Sequence, residues 1–469
     1  MNLEAQPNEP IYKPRRIRTV ANMVKRILTI ALGVVLGSCV AMGVAKLAFL
    51  WGLFSDRDLE RSSEYVREVL QLVNENYVDE KAAQYSAITH AAIHGIADSL
   101  DPHTEFMEAK DYKQLQEDIS SEFGGVGIQI EQRKGRVVVV TPISGGPSER
   151  AGVMRGDEIL SIDGQKLEKS SVDFVVGKLR GKPKTRVKIG FFRPSTKKDF
   201  EVTIVRETIK TESVRDVQLL PDDIGYLQIT QFTERTGDEF IKALNKLAEL
   251  KASALVIDLR NNPGGLLDAA VAVAEPFFKK GEIIVYTQGR KPGDREDYKA
   301  ESDETPIDVP VAVLINAGSA SAAEIVAGAL KDTIKAVIVG ERSFGKGSVQ
   351  SIFKLKNGEG MRLTTARYYT PSGVTIHEKG VLPNVEVVMT PEDDQNVRLQ
   401  RARRDVKDPA EFKERFGFEP TEDRQLQAAM DVLRGIMILD ERKAQPAKAE
   451  PAATVKAAAP AKPATPAKK

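Results

Sequence analysis

An uninterrupted apolar segment near the start of the chain constrains where the rest of the protein can fold. It extends from Ile27 to Phe54, and Lys46 is its only charged residue. Six basic residues precede it: Lys13, Arg15, Arg16, Arg18, Lys25 and Arg26. A helix of about 20 apolar residues crosses a bilayer, and cationic residues beside it favour the cytoplasmic side. The pattern predicts a cytoplasmic N-terminus, 1–26, a membrane anchor or signal segment, 27–54, and a larger part outside the cytoplasm.

The apolar segment has two other interpretations. A cleaved signal peptide usually has a shorter apolar core, of about 7–15 residues. The sequence "LGSC", Leu36 to Cys39, looks like a bacterial lipoprotein cleavage box, although apolar residues continue after Cys39. We therefore prefer an uncleaved single-pass anchor, with a cleaved form and a lipoprotein as the alternatives.

Composition excludes several kinds of site. The net charge is +1, and no basic stripe with interleaved aromatic residues follows the N-terminus, so nucleic-acid binding is not expected. Cys39 is the only cysteine, which excludes an intrachain disulfide and disfavours a cysteine metal site. His90 and His94 lie four residues apart on a predicted helix and could pair on a metal, but no third ligand is evident. We predict no metal and no other cofactor.

Three regions surround the central domains. Residues 57–120 have helical periodicity and are predicted to form an N-terminal helical region. Residues 391–442 are predicted to form a helical C-terminal extension. Residues 443–469 are almost all Ala, Pro and Lys, a composition that cannot bury a core, and they are predicted to be disordered.

Residues 121–206 combine short alternating strands with turn glycines and two short helical segments. The segments "FGGVGIQI" (Phe123 to Ile130) and "PSERAGVMRGDEILSIDGQ" (Pro147 to Gln165) resemble the binding loop, helix, turn and strand of PDZ domains. Such a loop points several backbone N–H groups at a peptide's terminal carboxylate, and the next strand pairs with the peptide. The predicted peptide-binding loop consists of Gly125, Val126, Gly127 and Ile128. Ser171 to Gly181 would form the second helix beside the groove.

Residues 207–390 alternate strands with helices, which favours a partly parallel sheet with helices packed on it. The strand-like "VPVAVLI" is followed by "NAGSASAAE", where Ser319 and Ser321 precede a predicted helix. A serine at such a corner has an exposed hydroxyl, and nearby N–H groups can bind an oxyanion. Residue types alone do not decide between the two serines, because both lie among small residues.

A nucleophilic serine needs a base. His377 is the only histidine in the α/β part and lies in the turn-rich "PSGVTIHEKG". The alternative is Lys346, between Gly345 and Gly347 with apolar sequence on both sides. A lysine serves as a base near neutral pH only if burial or a positive neighbour lowers its pKa.

Several segments occur here in one order: "SLDPHTEFMEAKDY", the PDZ unit, "DLRNNPGGLL", "GSASAAEIVAGALKD", "SFGKGSVQ" and "RYYTPSGVTIHEKGVLPNVEV". Together they resemble the carboxy-terminal processing proteases, which are serine peptidases with a Ser-Lys dyad and an inserted PDZ domain. The resemblance covers about Asp58 to Val388. It implies a multidomain α/β protein whose protease core is of the ClpP/crotonase type.

The resemblance also implies site residues, carried over by position. Ser321, rather than Ser319, is the nucleophile, Lys346 is the general base, and Gln350 orients the lysine. The oxyanion hole is implied to consist of the N–H of Ala322 and that of Gly264 or Gly265. Arg180 corresponds to an arginine linking the PDZ domain to activation, and Asp332 is expected to give structural support. This chain departs from the usual pattern at Lys184, where glycine is common, and at Val374 and His377.

The resemblance implies a periplasmic endopeptidase at a bacterial inner membrane. Its expected partners are protein substrates with exposed C-termini, an adaptor or lipoprotein, and further copies of itself. A catalytically silent, membrane-tethered PDZ adaptor or chaperone is the rival class, and a fold relative acting on acyl-CoA thioesters is a third. The presence of both dyad residues argues against the adaptor, and the PDZ unit argues against the thioester enzyme.

Overall fold

The computed structural model describes residues 16–50, 57–133, 135–167, 170–403, 406 and 408–444. Most of the predicted disordered tail (from 445 on), residues 1–15 of the predicted cytoplasmic segment and residues 51–54 of the apolar segment lie outside the described residues. The chain divides into two compact units, Met1–Ile96 and Ala97–Lys469.

The first unit is helical where it is described. It contains α1 (Arg16–Leu50), α2 (Arg57–Asn76) and α3 (Tyr85–Asp98), which ends just inside the second unit. Within α1, Lys25–Gly43 is long and apolar enough to cross a membrane, as the anchor prediction requires, and none of it is buried. Helix α2 has no buried residue, and its exposed apolar side chains include Leu59, Tyr65, Val66 and Leu72.

The second unit begins with a strand and a helix that precede the PDZ domain. These are β1 (Glu105–Met107) and α4 (Ala109–Ser120). The sequence predicts only helices for 57–120, but β1 pairs antiparallel with a strand far along the chain, where Phe106 lies opposite Met361. The end of this region is therefore part of the protease core.

The predicted PDZ domain is present as a six-stranded antiparallel sheet with two short helices. Its elements and flanking strands are β2 (Glu122–Gly125), β3 (Ile128–Arg133), β4 (Arg136–Pro142), α5 (Pro147–Arg150), β5 (Glu158–Ile162), β6 (Gln165–Lys166), α6 (Val172–Leu179), β7 (Arg186–Arg193), β8 (Lys198–Val205) and β9 (Glu207–Lys210). Strands β2 and β9 pair antiparallel just outside the sheet. The domain's entry and exit thus meet in one ribbon, as expected for an inserted domain.

The protease core has two sheets. Its elements are β10 (Val214–Leu220), β11 (Ile224–Ile229), α7 (Thr236–Glu249), β12 (Ala254–Asp258), α8 (Leu267–Ala274), β13 (Ile283–Gly289), β14 (Arg295–Lys299), β15 (Val311–Ile315), α9 (Ala322–Asp332), β16 (Val337–Gly340), β17 (Ser348–Lys354), β18 (Gly360–Tyr369) and β19 (Val385–Glu386). One sheet has the order β10-β11-β12-β15-β16-β19 and is parallel except for β10. The other is antiparallel, with the order β1-β18-β13-β14 and β17 beside β18.

Helices cover both faces of the mostly parallel sheet, and its central strands are therefore buried and largely apolar. In β12, Leu255 and Ile257 pack with helices α7, α8 and α9 on one face. The alternate residue Val256 packs against Leu433 on the other. A strand buried on both faces carries a continuous apolar run rather than an alternating one.

The second face is covered by the C-terminal extension. Its helices are α10 (Pro391–Ala402), α11 (Pro409–Phe416) and α12 (Arg424–Ala444). Its helix α12 contributes the buried residues Ala429, Met430 and Leu433 to the core beneath the sheet. It is therefore an integral layer of the protease core.

Candidate active site

The parallel strands β11, β12, β15 and β16 end at one edge of the sheet, and their following loops meet there. Ligands of such α/β sheets bind outside the carboxyl ends of the strands. A cavity of about 310 Å³ opens at this edge. Its lining includes five residues that the sequence singles out: Ser321, Lys346, Gln350, Gly264 and Gly265. Residues distant in the chain are thus brought to one cavity.

Ser321 precedes α9 with φ 54° and ψ −114°. A non-glycine residue in this region is strained, and such strain is retained where the surroundings fix the conformation. The turn projects the serine into the cavity at the corner between a strand and a helix, a placement that suits a nucleophile.

Ser319 has a different environment. It is fully buried, its Oγ donates to the carbonyl oxygen of Leu259 at 2.8 Å, and it accepts from the N–H of Asn316 at 3.0 Å. Its hydroxyl therefore ties the loop after β15 to the end of β12. The structure distinguishes two serines that residue types alone could not, since only Ser321 lines the cavity.

The turn after β12 supplies the candidate oxyanion donors. Gly264 and Gly265 have φ of 101° and 143°, which favour glycine. The N–H of Gly264 donates to Oδ1 of Asn262 at 2.8 Å, so it is occupied. Within the described part of the chain, no acceptor is bonded to the N–H of Gly265. Of the two glycines that the sequence left open, Gly265 is thus the available donor.

Ala322 is the first residue of α9, where backbone N–H groups have no partner inside the helix. A Cβ atom added to Gly264 would lie 2.9 Å from the nitrogen of Ala322. The glycine turn and the start of α9 are therefore in direct contact at Gly264, and Gly265 lines the same cavity as Ser321.

A buried ionic cluster at the end of β12 supports the glycine turn. Asp258 and Arg260 form a bidentate pair, with an Nη2–Oδ2 distance of 2.7 Å, and both are buried. Arg260 also binds Asp423 at 2.7 Å, and Arg401 of α10 binds Asp258 at 2.6 Å. The C-terminal extension therefore supports the turn directly, a role that the sequence did not predict.

Lys346 is half-buried at the end of the loop after β16. Burial lowers the pKa of its amine, and the nearby positive charge of Arg362 lowers that pKa further. The carboxylates of Asp101 and Glu324 act in the opposite direction. A lowered pKa is what a lysine base requires.

Gln350 lies beside Lys346 in the cavity lining. Its Nε2 donates to Oγ of Ser348 at 2.9 Å and to Oγ1 of Thr364 at 3.3 Å. Thr364 in turn donates to Oδ1 of Asp101 at 3.2 Å. This chain of bonds joins the base's loop to the "DPHT" segment, for which the sequence suggested no role. A bond from Lys346 to Gln350 stays a prediction.

His377 and Asp332 lie outside the cavity lining. The Nε2 of His377 is 3.8 Å from a carboxylate oxygen of Glu378. The carboxylate of Asp332 accepts from the N–H and the hydroxyl of Ser372, both at 2.7 Å. These contacts agree with structural support for Asp332. The described residues contain no group of three or more His, Cys, Asp or Glu side chains suited to a metal.

The predicted peptide-binding loop lies between β2 and β3. Val126 is buried, and its carbonyl accepts from the N–H of Ser148 at 3.1 Å, while Gly127 has φ 71°. Strand β3 is at the edge of the PDZ sheet. An edge strand has free backbone groups with which a peptide can pair.

Arg180 ends α6 and faces α4 rather than the loop. Its Nη1 donates to Oε1 of Gln114 at 2.8 Å, and its guanidinium is 4.4 Å from the ring centre of Phe123. Helix α4 also contributes Leu115 and Ile119 to the lining of the active-site cavity. Arg180 therefore connects the PDZ domain to a wall of the cavity through α4.

Lys184 is one of the departures from the family pattern, at a position where glycine is common. It has φ 69°, a conformation that favours glycine. The backbone therefore has the left-handed conformation that glycine adopts readily, and a lysine in this conformation is strained.

Comparisons with known proteins agree with both domains. A family model described as peptidase family S41 matches residues 223–387, and a PDZ-domain model matches 124–204. The carboxy-terminal-processing protease of Bartonella bacilliformis is 42% identical over 300 residues, covering 63% of this chain and 68% of that protein. The carboxyl-terminal-processing protease of a Synechocystis species is 35% identical over 343 residues, covering 68% and 79%.

A solved structure, the photosystem II D1 C-terminal processing protease, is also similar. It is 31% identical, with a TM-score of 0.39, and the match covers 68% of this chain and 91% of the other.

Proposed function

The chain belongs to the carboxy-terminal processing proteases of peptidase family S41, and on that premise we propose that it is a cell-envelope serine endopeptidase with a Ser321–Lys346 dyad. The observation that carries the proposal is the single cavity lined by Ser321, Lys346 and the glycine turn. Its substrates would be proteins with exposed C-termini, recognised by the PDZ domain.

The proposed reaction proceeds through an acyl-enzyme. Uncharged Lys346 takes the proton from Oγ of Ser321 as the oxygen attacks the substrate carbonyl, and the N–H groups of Ala322 and Gly265 stabilise the oxyanion. Loss of one such donor typically costs about 100- to 1000-fold in rate. The protonated lysine then gives its proton to the departing amine, which leaves the acyl group on Ser321. Water, deprotonated by Lys346, hydrolyses the ester and restores the serine.

The PDZ domain would bring the substrate to this cavity. A C-terminal strand would pair with the free edge of β3, with its carboxylate at the backbone N–H groups of 125–128. Arg180 and α4 supply a physical connection from this domain to the cavity wall.

The proposed location is a bacterial inner membrane with the catalytic part in the periplasm. Helix α1 supports a single-pass anchor by length and composition. The exposed apolar side chains of α2 support association with further copies of the chain, and an adaptor or lipoprotein partner fits the same envelope location.

Cleavage of unfolded casein by the full chain in detergent tests the proposal, beside Ser321→Ala and Lys346→Ala. We expect cleavage by the wild type only, with all three proteins folded. Cleavage by Ser321→Ala at the wild-type rate would refute the dyad. A wild type that neither cleaves casein nor reacts with a serine-directed probe would favour the silent PDZ adaptor.

A further inference from the structure

A buried carboxylate connects the two dyad residues through their main chains. Glu324 lies in the first turn of α9 and is fully buried. Its Oε2 accepts from the N–H of Ser321 at 2.8 Å and from the N–H of Lys346 at 2.9 Å. One oxygen atom therefore binds the backbones of two residues from different loops.

The other oxygen of Glu324 binds the loop that carries the lysine. Its Oε1 accepts from Oγ of Ser343 at 2.6 Å and from the N–H of Gly345 at 2.7 Å. Removing a carboxylate from water is costly unless several hydrogen bonds compensate. Four donors supply that compensation here, and three of them are backbone groups of the serine and lysine loops.

Tyr368 of β18 makes the complementary connection. It is almost fully buried, and its hydroxyl lies within hydrogen-bond distance of the carbonyl oxygens of both Lys346 and Ser321, the latter at 3.3 Å. Burial raises the pKa of this phenol, and the Glu324 carboxylate raises it further, so the hydroxyl keeps its proton. Thus Glu324 binds the N–H groups of Ser321 and Lys346, and the single O–H donor of Tyr368 is shared between their carbonyl oxygens.

These contacts restrain two backbone segments that would otherwise be strained or variable: the turn at Ser321 and the loop at Lys346. Ser321 has a strained backbone conformation, which persists only when neighbouring groups fix it. Lys346 lies between two glycines, which allow its loop many conformations. A clamp on both peptide units would hold the nucleophile and the base in one relative position, and reacting groups displaced by about 1 Å can lose about 100-fold in rate.

We propose that Glu324 and Tyr368 are positioning residues that fix Ser321 relative to Lys346 by clamping the peptide units of both. The proposal rests on the proposed Ser321–Lys346 function and adds to it two residues that act through the main chain of the dyad: Glu324, which is not part of the cavity lining, and Tyr368, which is. A positioning role differs from simple support of the fold in its measurable effects: substitution of a positioning residue changes kcat and the pH dependence of kcat in a protein that still folds.

Glu324→Gln is the decisive substitution. An amide has one acceptor oxygen and one donor nitrogen in place of two acceptors, so at least one of the three backbone N–H groups, those of Ser321, Gly345 and Lys346, loses its acceptor. The substitution also removes a negative charge from the surroundings of Lys346. The other groups that act on Lys346 stay in place: Asp101, His103 and Arg362.

Ser343→Ala is the matched control. It removes one donor from the same carboxylate and an acceptor from the N–H of Val381. It leaves the bonds to Ser321 and Lys346 in place. We expect it to lower stability while keeping kcat within about threefold of the wild type, because Ser343 is buried and its hydroxyl bonds neither peptide unit of the dyad.

The experiment measures kcat, KM and the pH profile of the full chain in detergent on an internally quenched peptide with a free C-terminus. For Glu324→Gln we expect kcat to fall about 100-fold with KM nearly unchanged. The rising limb of its profile should move to lower pH, because loss of the carboxylate lowers the pKa of Lys346. Tyr368→Phe should lower kcat with the same split, and it decides the question if Glu324→Gln does not fold.

A kcat within about twofold of the wild type for folded Glu324→Gln, or for Tyr368→Phe in its place, would overturn the proposal. The proposal would also be overturned if the kcat of Glu324→Gln fell no further than that of Ser343→Ala and its pH profile did not move. Labelling by a fluorophosphonate separates this failure from that of the proposed function. If the wild type is labelled at Ser321, the proposed dyad stands even if the clamp proposal fails. If it is not labelled there, both the dyad and the clamp are refuted.

Discussion

Gly264 lies against Ser321 so closely that a Cβ atom added to the glycine would be 2.7 Å from the Cβ of the serine. The same atom would be 2.8 Å from the carbonyl oxygen of Ala320. Contacts this short with backbone atoms cannot be relieved by a rotamer change. The glycine turn and the serine turn are therefore mutually dependent, which leads to the first prediction.

Gly264→Ala should lower kcat/KM about 100-fold, because the added methyl group displaces Ser321 or the adjacent oxyanion donors. The residue also has φ 101°, so some loss of stability is expected. Gly293→Ala is the control, since a Cβ there meets no atom within 4 Å. Equal activity of the two variants would show that the close approach has no catalytic role.

Activity should rise with pH as Lys346 loses its proton, since only the neutral amine can act as a base. Arg362→Gln removes a cation that lowers the pKa of Lys346, so the rising limb should move to higher pH. Asp101→Asn removes a carboxylate that raises this pKa, so the limb should move to lower pH. Initial rates from pH 5 to 10 would measure both shifts, with exposed Lys354→Gln as the control. Shifts in the same direction for both variants would contradict a lysine base.

Arg180→Ala should reduce kcat at saturating substrate about 5-fold, because the PDZ domain loses its hydrogen bond to α4 and with it a support of the cavity wall. Binding of a C-terminal peptide, followed by fluorescence anisotropy, should not change. Lys178→Ala, two residues earlier and exposed, is the control. A weakened peptide affinity with unchanged kcat would instead assign Arg180 to peptide binding.

Leu433→Ala should lower the free energy of unfolding by about 2–5 kcal/mol, because Leu433 is fully buried under the sheet. Ile438→Ala, on the same helix but half exposed, should change it by no more than about 0.5 kcal/mol. Urea denaturation would measure both. Equal values would mean that α12 is not an integral layer of the core.

Much of the fold could be predicted from order and pattern. The glycine loop, short helix and alternating strands predicted the PDZ domain, and the continuous apolar runs before the glycine turn and before Ser319 predicted strands of a covered sheet. These features are local, so one stretch of sequence contains each of them. The layer formed by α12 was missed because nothing in an amphipathic helix states which surface it covers.

The site was only partly predictable, because some of its contacts join residues that are distant in the sequence. The resemblance selected Ser321, but the availability of Gly265 rather than Gly264 depends on where the Asn262 side chain points. Glu324 did leave a signal: it is the acid in the first turn of a helix of mostly small and apolar residues, three positions after Ser321, as in a capping box. What the pattern could not reveal is that the carboxylate also reaches Lys346, since that contact joins loops from different strands.

The most direct test of the central claim is to identify the serine that reacts with a fluorophosphonate in the full chain, by peptide mapping with mass spectrometry. The account predicts one adduct, on Ser321, that is absent from Ser321→Ala, retained by Ser319→Ala and formed much more slowly by Lys346→Ala. An adduct on Ser319 or another serine, or casein cleavage without any adduct, would contradict it.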